Sequence, residues 1–290
     1  MPEAFSTWIE ASRPKTLSAA VAPVLVGTAA ASAFSGWRFL AALVVALAVQ
    51  VGVNYANDYF DGVRGVDTES RVGPRRAVAS GLVSPARMRR AMLVAFGVAA
   101  LAGLAIAASA GWWLVAVGAA CFLAALGYSG GSRPYASSGL GEVFVFVFFG
   151  LVATVGSAFV QDERVSPLAV AAAVPVGMLA VAILVANNLR DIETDARAGK
   201  RTLAVRLGDL GTRRFFVVCI LGPFVFVPVI AAITGSPWPL VCLLALVLAP
   251  VPARAAWGGA KGRALIPVLA GTARLQISFG LLLAAGLLLA

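Results

Sequence analysis

Histidine is absent from this chain. Its absence excludes every imidazole general base, every histidine-activated nucleophile and every histidine-bound zinc. Charge is scarce as well: Asp, Glu, Lys and Arg make up 12% of the 290 residues, where an ordinary soluble domain carries roughly 25%. Cysteine is limited to Cys121, Cys219 and Cys242, an odd number, far apart and each inside an apolar stretch. That spacing offers neither a disulfide framework nor a thiolate metal site, so the three are read as small apolar packing residues. A metal in this protein has to be held by oxygen.

What the chain has in abundance is hydrophobic residues, 60% of the total, in runs able to cross a hydrocarbon core as helices at about 20 residues each. The pattern predicts an all-α, polytopic transmembrane bundle of nine helices in a single unit over residues 1–290. The expected spans are 17–34, 37–55, 91–109, 112–128, 143–160, 168–189, 215–233, 238–257 and 266–290. Ser35-Gly36, Ala110-Gly111 and Gly235-Ser236-Pro237 punctuate it as tight turns between neighbouring helices. Arg13 and Lys15 before an apolar run ending in Ala31-Ser32-Ala33 also resemble a cleaved signal peptide. A retained first helix is expected instead, because the segment carries groups that a site on the same side can use.

The net charge of +10 does not point to nucleic acid, since the basic residues lie between apolar segments rather than on one soluble face. With a cytoplasmic N-terminus, Arg38 and Arg164 fall outside and Arg274 lies within the last span, leaving the other 20 of 23 Lys and Arg on the inner side, Arg254 among them at the inner end of the eighth span. By the positive-inside rule this predicts the orientation in the cell membrane. The outer turns are short, and the two long inner loops, 58–90 and 190–214, are where function is expected.

Both loops open on acidic text where an apolar run ends. One begins Asn54-Tyr55-Ala56-Asn57-Asp58-Tyr59-Phe60-Asp61 and continues to Asp67 and Glu69; the other reads Asn187-Asn188-Leu189-Arg190-Asp191-Ile192-Glu193-Thr194-Asp195. A carboxylate at that depth is costly and is by default a functional group. Asn57 and Asp61 are four apart, as are Asn187 and Asp191, and Asp191 and Asp195, so on a helix each segment presents two or three oxygen ligands on one face. Hard cations such as Mg²⁺ take such ligands and complete their shell with substrate phosphate. Each acidic stretch is followed by basic residues, Gly73-Pro74-Arg75-Arg76 in one and Gly199-Lys200-Arg201 in the other. The echo is that of a weak internal duplication with a ligand between its halves. Arg75, Arg76, Lys200 and Arg201, joined by Arg13 and Lys15, are candidates for binding a diphosphate. Arg71, Arg87, Arg89 and Arg90 are read as topology signals or headgroup contacts.

At these residues the chain resembles the intramembrane aromatic prenyltransferases, the UbiA superfamily. The matching text is Ser12-Arg13-Pro14-Lys15-Thr16-Leu17, Asn57-Asp58-x-x-Asp61 with Gly65-Val66-Asp67, Arg133-Pro134-Tyr135 with Gly139-Leu140-Gly141-Glu142, and Asp191-x-x-x-Asp195 running on to Gly208. The flanking stretches are most similar to the branch that prenylates 1,4-dihydroxy-2-naphthoate in menaquinone synthesis. The resemblance implies a central cavity open sideways to lipid, a polyprenyl diphosphate donor, an aromatic acceptor and Mg²⁺. One ion is expected on Asn57 and Asp61 and another on Asp191 and Asp195. Asp58 and Asp67 are expected to ligate, orient the acceptor or act as base. Tyr128 matches a tyrosine near the reacting carbon, where its face can stabilise an allylic cation; as a plain membrane-interface anchor it needs no such role. Two alternatives stand beside this reading: a 4-hydroxybenzoate acceptor, and a divalent cation transporter using intramembrane carboxylates.

Overall fold

The computed structural model describes residues 2–65, 73, 75–131 and 134–290, and every regular element among them is helical. In chain order these are α1 (Pro2–Ser12), α2 (Ser18–Ala29), α3 (Gly36–Val63), α4 (Pro85–Ala110), α5 (Leu114–Ser129), α6 (Gly141–Val145) and α7 (Ala153–Asp162). Then follow α8 (Pro167–Arg197), α9 (Leu203–Leu221), α10 (Pro223–Thr234), α11 (Pro250–Trp257) and α12 (Ile266–Leu288). A π-helical turn, Phe146–Val152, joins α6 to α7, and a 3-10 helix, Trp238–Leu248, precedes α11. Helix starts follow local chemistry. Ser84 and Ser166 each stand before a proline and cap α4 and α8 by accepting from Arg87 N and Ala169 N, and Thr202 caps α9 through Val205 N.

Among the described residues six helical stretches are long and apolar enough to cross a membrane: α3, α4, the α6–α7 rod, α8, α9 with α10, and Gly262–Leu288. A seventh is the 3-10 helix with α11, bent by 41° at their junction, where Pro250 begins the next helix. The two remaining expected spans are the short α2 and α5, of 12 and 16 residues. At 1.5 Å per residue they reach only about 18 and 24 Å, less than the roughly 30 Å core. Each of the nine expected spans has a helical counterpart, but among the described residues six or seven qualify by length and composition. Beyond α2 the chain is tied to the end of α7, where the Asp162 carboxylate accepts from Ser32 N and Ala33 N at 2.8 Å each.

The structure corrects one boundary that matters. The acidic stretches do not open loops; they are the last turns of α3 and α8, which run on to Val63 and Arg197. Hydropathy marks where lipid contact stops, not where backbone hydrogen bonding stops, and 28 and 31 residues of helix give rods of about 42 and 46 Å. Helix α8 is the most enclosed, packed by α9, α10, α12 and the π turn. Gly150 of that turn meets Gly177 of α8 so closely that a Cβ on Gly150 would lie 2.7 Å from the Gly177 Cα. The contact requires glycine on both sides and seats the π turn against the centre of the bundle.

Candidate active site

Two cavities open inside the bundle and touch. The larger, about 490 Å³, is lined mainly by apolar side chains of α2 to α8 and the π turn. The smaller, about 350 Å³, is polar and sits over the ends of α3 and α8. Arg13, Asn57, Tyr128, Leu184 and Asn187 line both, so a ligand can place an anionic end in one and an apolar chain in the other.

Three carboxylates line the polar cavity, Asp61, Asp191 and Asp195, each next to a cation. Arg76 Nη2 donates to Asp61 Oδ2 at 3.1 Å. Arg190 grips Asp191 with two hydrogen bonds, Nε to Oδ1 at 2.8 Å and Nη2 to Oδ2 at 2.6 Å. Lys200 Nζ lies 3.6 Å from Asp195 Oδ1. With Arg13 and Arg197 the cavity holds five cations against three carboxylates, an excess that favours an anion. Arg13 takes its place with a left-handed backbone, φ 52°, a conformation that non-glycine residues adopt at a cost and often at functional sites.

Neutral oxygens are oriented from behind. Ser129 Oγ lies 2.6 Å from Asn57 Oδ1, and Asn188 Nδ2 donates at 2.8 Å to Oε1 of the buried Glu142, which commits that amide nitrogen. Among the described residues no three acidic or thiol side chains group closely enough to hold an ion by themselves. The oxygen donors that the cavity brings together are instead one asparagine–aspartate and one aspartate–aspartate pair, Asn57 with Asp61 at the end of α3 and Asp191 with Asp195 at the end of α8. That composition fits Mg²⁺, which uses one or two carboxylates and fills its shell with water and phosphate oxygens.

The apolar cavity begins at an aromatic ladder. Tyr128 meets Tyr135 edge-on at 5.5 Å, Tyr135 stacks on Phe144 at 3.9 Å, and Phe144 leads to Phe148 at 5.9 Å. The Tyr135 hydroxyl is occupied by donating to Ala124 O at 2.7 Å, which fixes its ring.

Several residues sit elsewhere than expected. Lys15, Arg75 and Arg201 are exposed and line neither cavity. Arg201 contributes only its main chain, donating from N to Ser137 O and accepting from Arg206 Nε. Asp58 is 2% exposed, lines neither cavity, and accepts from Ala77 N at 3.0 Å and Val78 N at 2.9 Å. Asp67 lies outside the described residues. In the other direction, the cavity includes Arg190, Asn188 and Ser129, which residue type and repeat placement did not single out. Arg190 carried a usable signal: an arginine set directly before an aspartate at the end of a long apolar run is placed to pair with it rather than to mark topology.

The family model described as "UbiA prenyltransferase family" matches residues 20–265. The 1,4-dihydroxy-2-naphthoate octaprenyltransferase of Mycobacterium tuberculosis is 47% identical over 98% of this chain and 97% of its own length. The Escherichia coli protein of the same name is 36% identical over 97% and 95%. Among solved structures, a UbiA homolog from Archaeoglobus fulgidus bound to GPP and Mg²⁺ aligns with a TM-score of 0.68 at 15% identity, over 96% of this chain and 99% of that one. The apo structure of a UbiA homolog from Aeropyrum pernix K1 aligns with a TM-score of 0.71, also at 15% identity, over 95% and 97%. The fold, the two cavities and nearly full-length similarity to these relatives make this polytopic helical chain a member of the UbiA prenyltransferase family.

Proposed function

We propose that the protein transfers a polyprenyl group from polyprenyl diphosphate to 1,4-dihydroxy-2-naphthoate, with loss of diphosphate and CO₂. The observation that carries this reading is the junction at Arg13, Asn57, Tyr128, Leu184 and Asn187, where an acid-and-base cavity meets an apolar one. A polyprenyl diphosphate has that same division, and the acceptor is the one named for the two bacterial relatives.

In this mechanism the polar cavity takes the diphosphate. Arg13, Arg76, Arg190 and Lys200, which line that cavity, offset its negative charge in this reading. Mg²⁺, when bound by Asn57 with Asp61 and by Asp191 with Asp195, supplies Lewis-acid stabilisation of the leaving group. The bond between the allylic carbon and the diphosphate oxygen breaks, and the oxygen keeps the electron pair. Tyr128 and the ladder behind it keep water from the cationic carbon and offer it a π face. The carboxyl-bearing ring carbon bonds to the allylic carbon, and the bond to the carboxylate then breaks, returning its electrons to the ring as CO₂ leaves. The site faces the cytoplasm by the distribution of Lys and Arg, in the cell membrane.

Purified protein given Mg²⁺, a polyprenyl diphosphate and carboxyl-labelled dihydroxynaphthoate should release labelled CO₂ in step with prenylation. Prenylation of 4-hydroxybenzoate with its carboxylate retained, and no reaction of the naphthoate, would overturn the acceptor.

A further inference from the structure

We propose that Asp58, although it stands beside a candidate metal-ligating asparagine, never touches substrate: it is a positioning residue that delivers Arg76 to the diphosphate. The inference rests on the proposed function only in taking the anion in the polar cavity to be a diphosphate. On a helix advancing 100° per residue, Asn57 and Asp61 lie about 40° apart, and Asp58 is turned a further 60° or so beyond Asp61. The three side chains therefore fan from the cavity towards the connection between α3 and α4, and Asp58 is the one that meets the backbone of that connection. Both of its oxygens are engaged there, by the consecutive amides of Ala77 and Val78. Those amides follow Arg76 directly in the chain, and Arg76 lines the polar cavity and donates to Asp61.

Residues 76–83 are folded onto the same point. Ser80 N and Ser80 Oγ both donate to Arg76 O, at 3.0 and 2.6 Å, and Val83 N closes the turn on Ala77 O at 3.0 Å. Ala77, Val78 and Val83 pack with Ala11 of α1 and Met88 of α4, so the turn has an apolar seat beside the Asp58 carboxylate that accepts from its backbone. A carboxylate accepting two amide hydrogens in a buried setting is a strong, directional anchor. It fixes the main chain one residue beyond the guanidinium, which converts a long, rotamer-rich side chain into a placed one. Asparagine in its stead accepts at one oxygen and turns an NH₂ towards the second amide, so Asp58→Asn breaks the anchor without changing size.

The experiment compares binding of a short allylic diphosphate with Mg²⁺ to the purified full-length protein, for wild type, Asp58→Asn, Arg76→Gln and the double variant. Each single variant should weaken binding about tenfold, the scale of one lost charge-assisted hydrogen bond, and the double variant should be no weaker than Arg76→Gln alone. The KM for the diphosphate should rise in Asp58→Asn while the KM for the acceptor stays put, a split that general destabilisation does not produce. Independent, multiplying effects in the double variant would overturn the inference, as would wild-type binding by either single variant. If Asp58→Asn fails to fold, hydrogen exchange on the unliganded wild type decides: the Ala77 and Val78 amides must be protected, and free exchange sinks the anchor. Failure of wild type itself to bind any diphosphate would instead strike the proposed function, leaving the exchange result to judge the anchor.

Discussion

The end of α3 and the end of α8 bring similar acids to one cavity and obtain their cations in opposite ways. On α8 the supply is local: Arg190 precedes the aspartate it grips, and Lys200 follows Asp195 by five residues. On α3 the local cation, Arg64, stands off at 3.9 Å from Asp61, and the one that hydrogen-bonds it is Arg76, fifteen residues beyond Asp61 and on a separate turn. A local pair is fixed by the helix itself and costs little extra order. A distant one requires a closed loop and something to hold it, and the entropy of that ordering has to be offset by contacts. Two stretches that read alike as text are thus different as devices, one self-contained and one assembled.

The comparison breaks most visibly if the acids themselves are unequal. Asp61→Asn and Asp191→Asn should each lower turnover on the order of 10²–10³-fold, the scale of removing one preorganised electrostatic group, while insertion and purification stay normal. Turnover at limiting Mg²⁺ is the measurement. Full activity in one variant only would mean that a single helix end carries the site, and full activity in both would remove the site altogether.

Tyr128 tests the junction rather than either end. Tyr128→Leu should lower kcat about tenfold, in line with roughly 1–2 kcal/mol from a ring facing a desolvated cation, and Tyr128→Phe should stay close to wild type. Equal losses in both variants would assign the effect to the hydroxyl and remove the π-face argument. A smaller change is expected from Lys200→Gln, a few-fold rise in KM for the diphosphate, because a 3.6 Å contact from a flexible, partly exposed ammonium is a weak one.

The sequence was most legible where chemistry is local. Absent histidine, long apolar runs and acids at helical spacing led to the expectation of oxygen ligands in a helical membrane protein; the chain is such a bundle, and Asn57, Asp61, Asp191 and Asp195 line one cavity. The length of α2 was not legible, because apolar side chains continue past Ala29, where the backbone leaves the helix. Nor was the choice within Arg75-Arg76. Adjacent arginines have the same chemistry, and only the turn held at Ala77 and Val78 decides which one points inward. Asp58 shows the same limit from the other side: its neighbours line the cavity, yet a single step of 100° sends it to the loop.

The smallest effects should come from the charges that the structure leaves outside. Lys15, Arg75 and Arg201 are exposed and line neither cavity, so neutralising each to Gln removes a solvated charge near the mouth and no direct ligand. Such a charge acts at long range, raising the local concentration of an anionic substrate, and is worth up to about 1 kcal/mol. It is also screened, since the Debye length falls from about 10 Å at 0.1 M salt to about 3 Å at 1 M. The expected result is a rise in KM of about threefold or less at low salt that disappears at high salt. For Arg76→Gln the loss should persist at high salt, because a buried contact is shielded from counterions. Measuring KM for the diphosphate in all four variants at both salts therefore separates steering from ligation. If Arg75→Gln proved as damaging as Arg76→Gln and equally indifferent to salt, the turn after α3 would present the other arginine in solution, and the contrast between an assembled and a self-contained half would have to be redrawn around it.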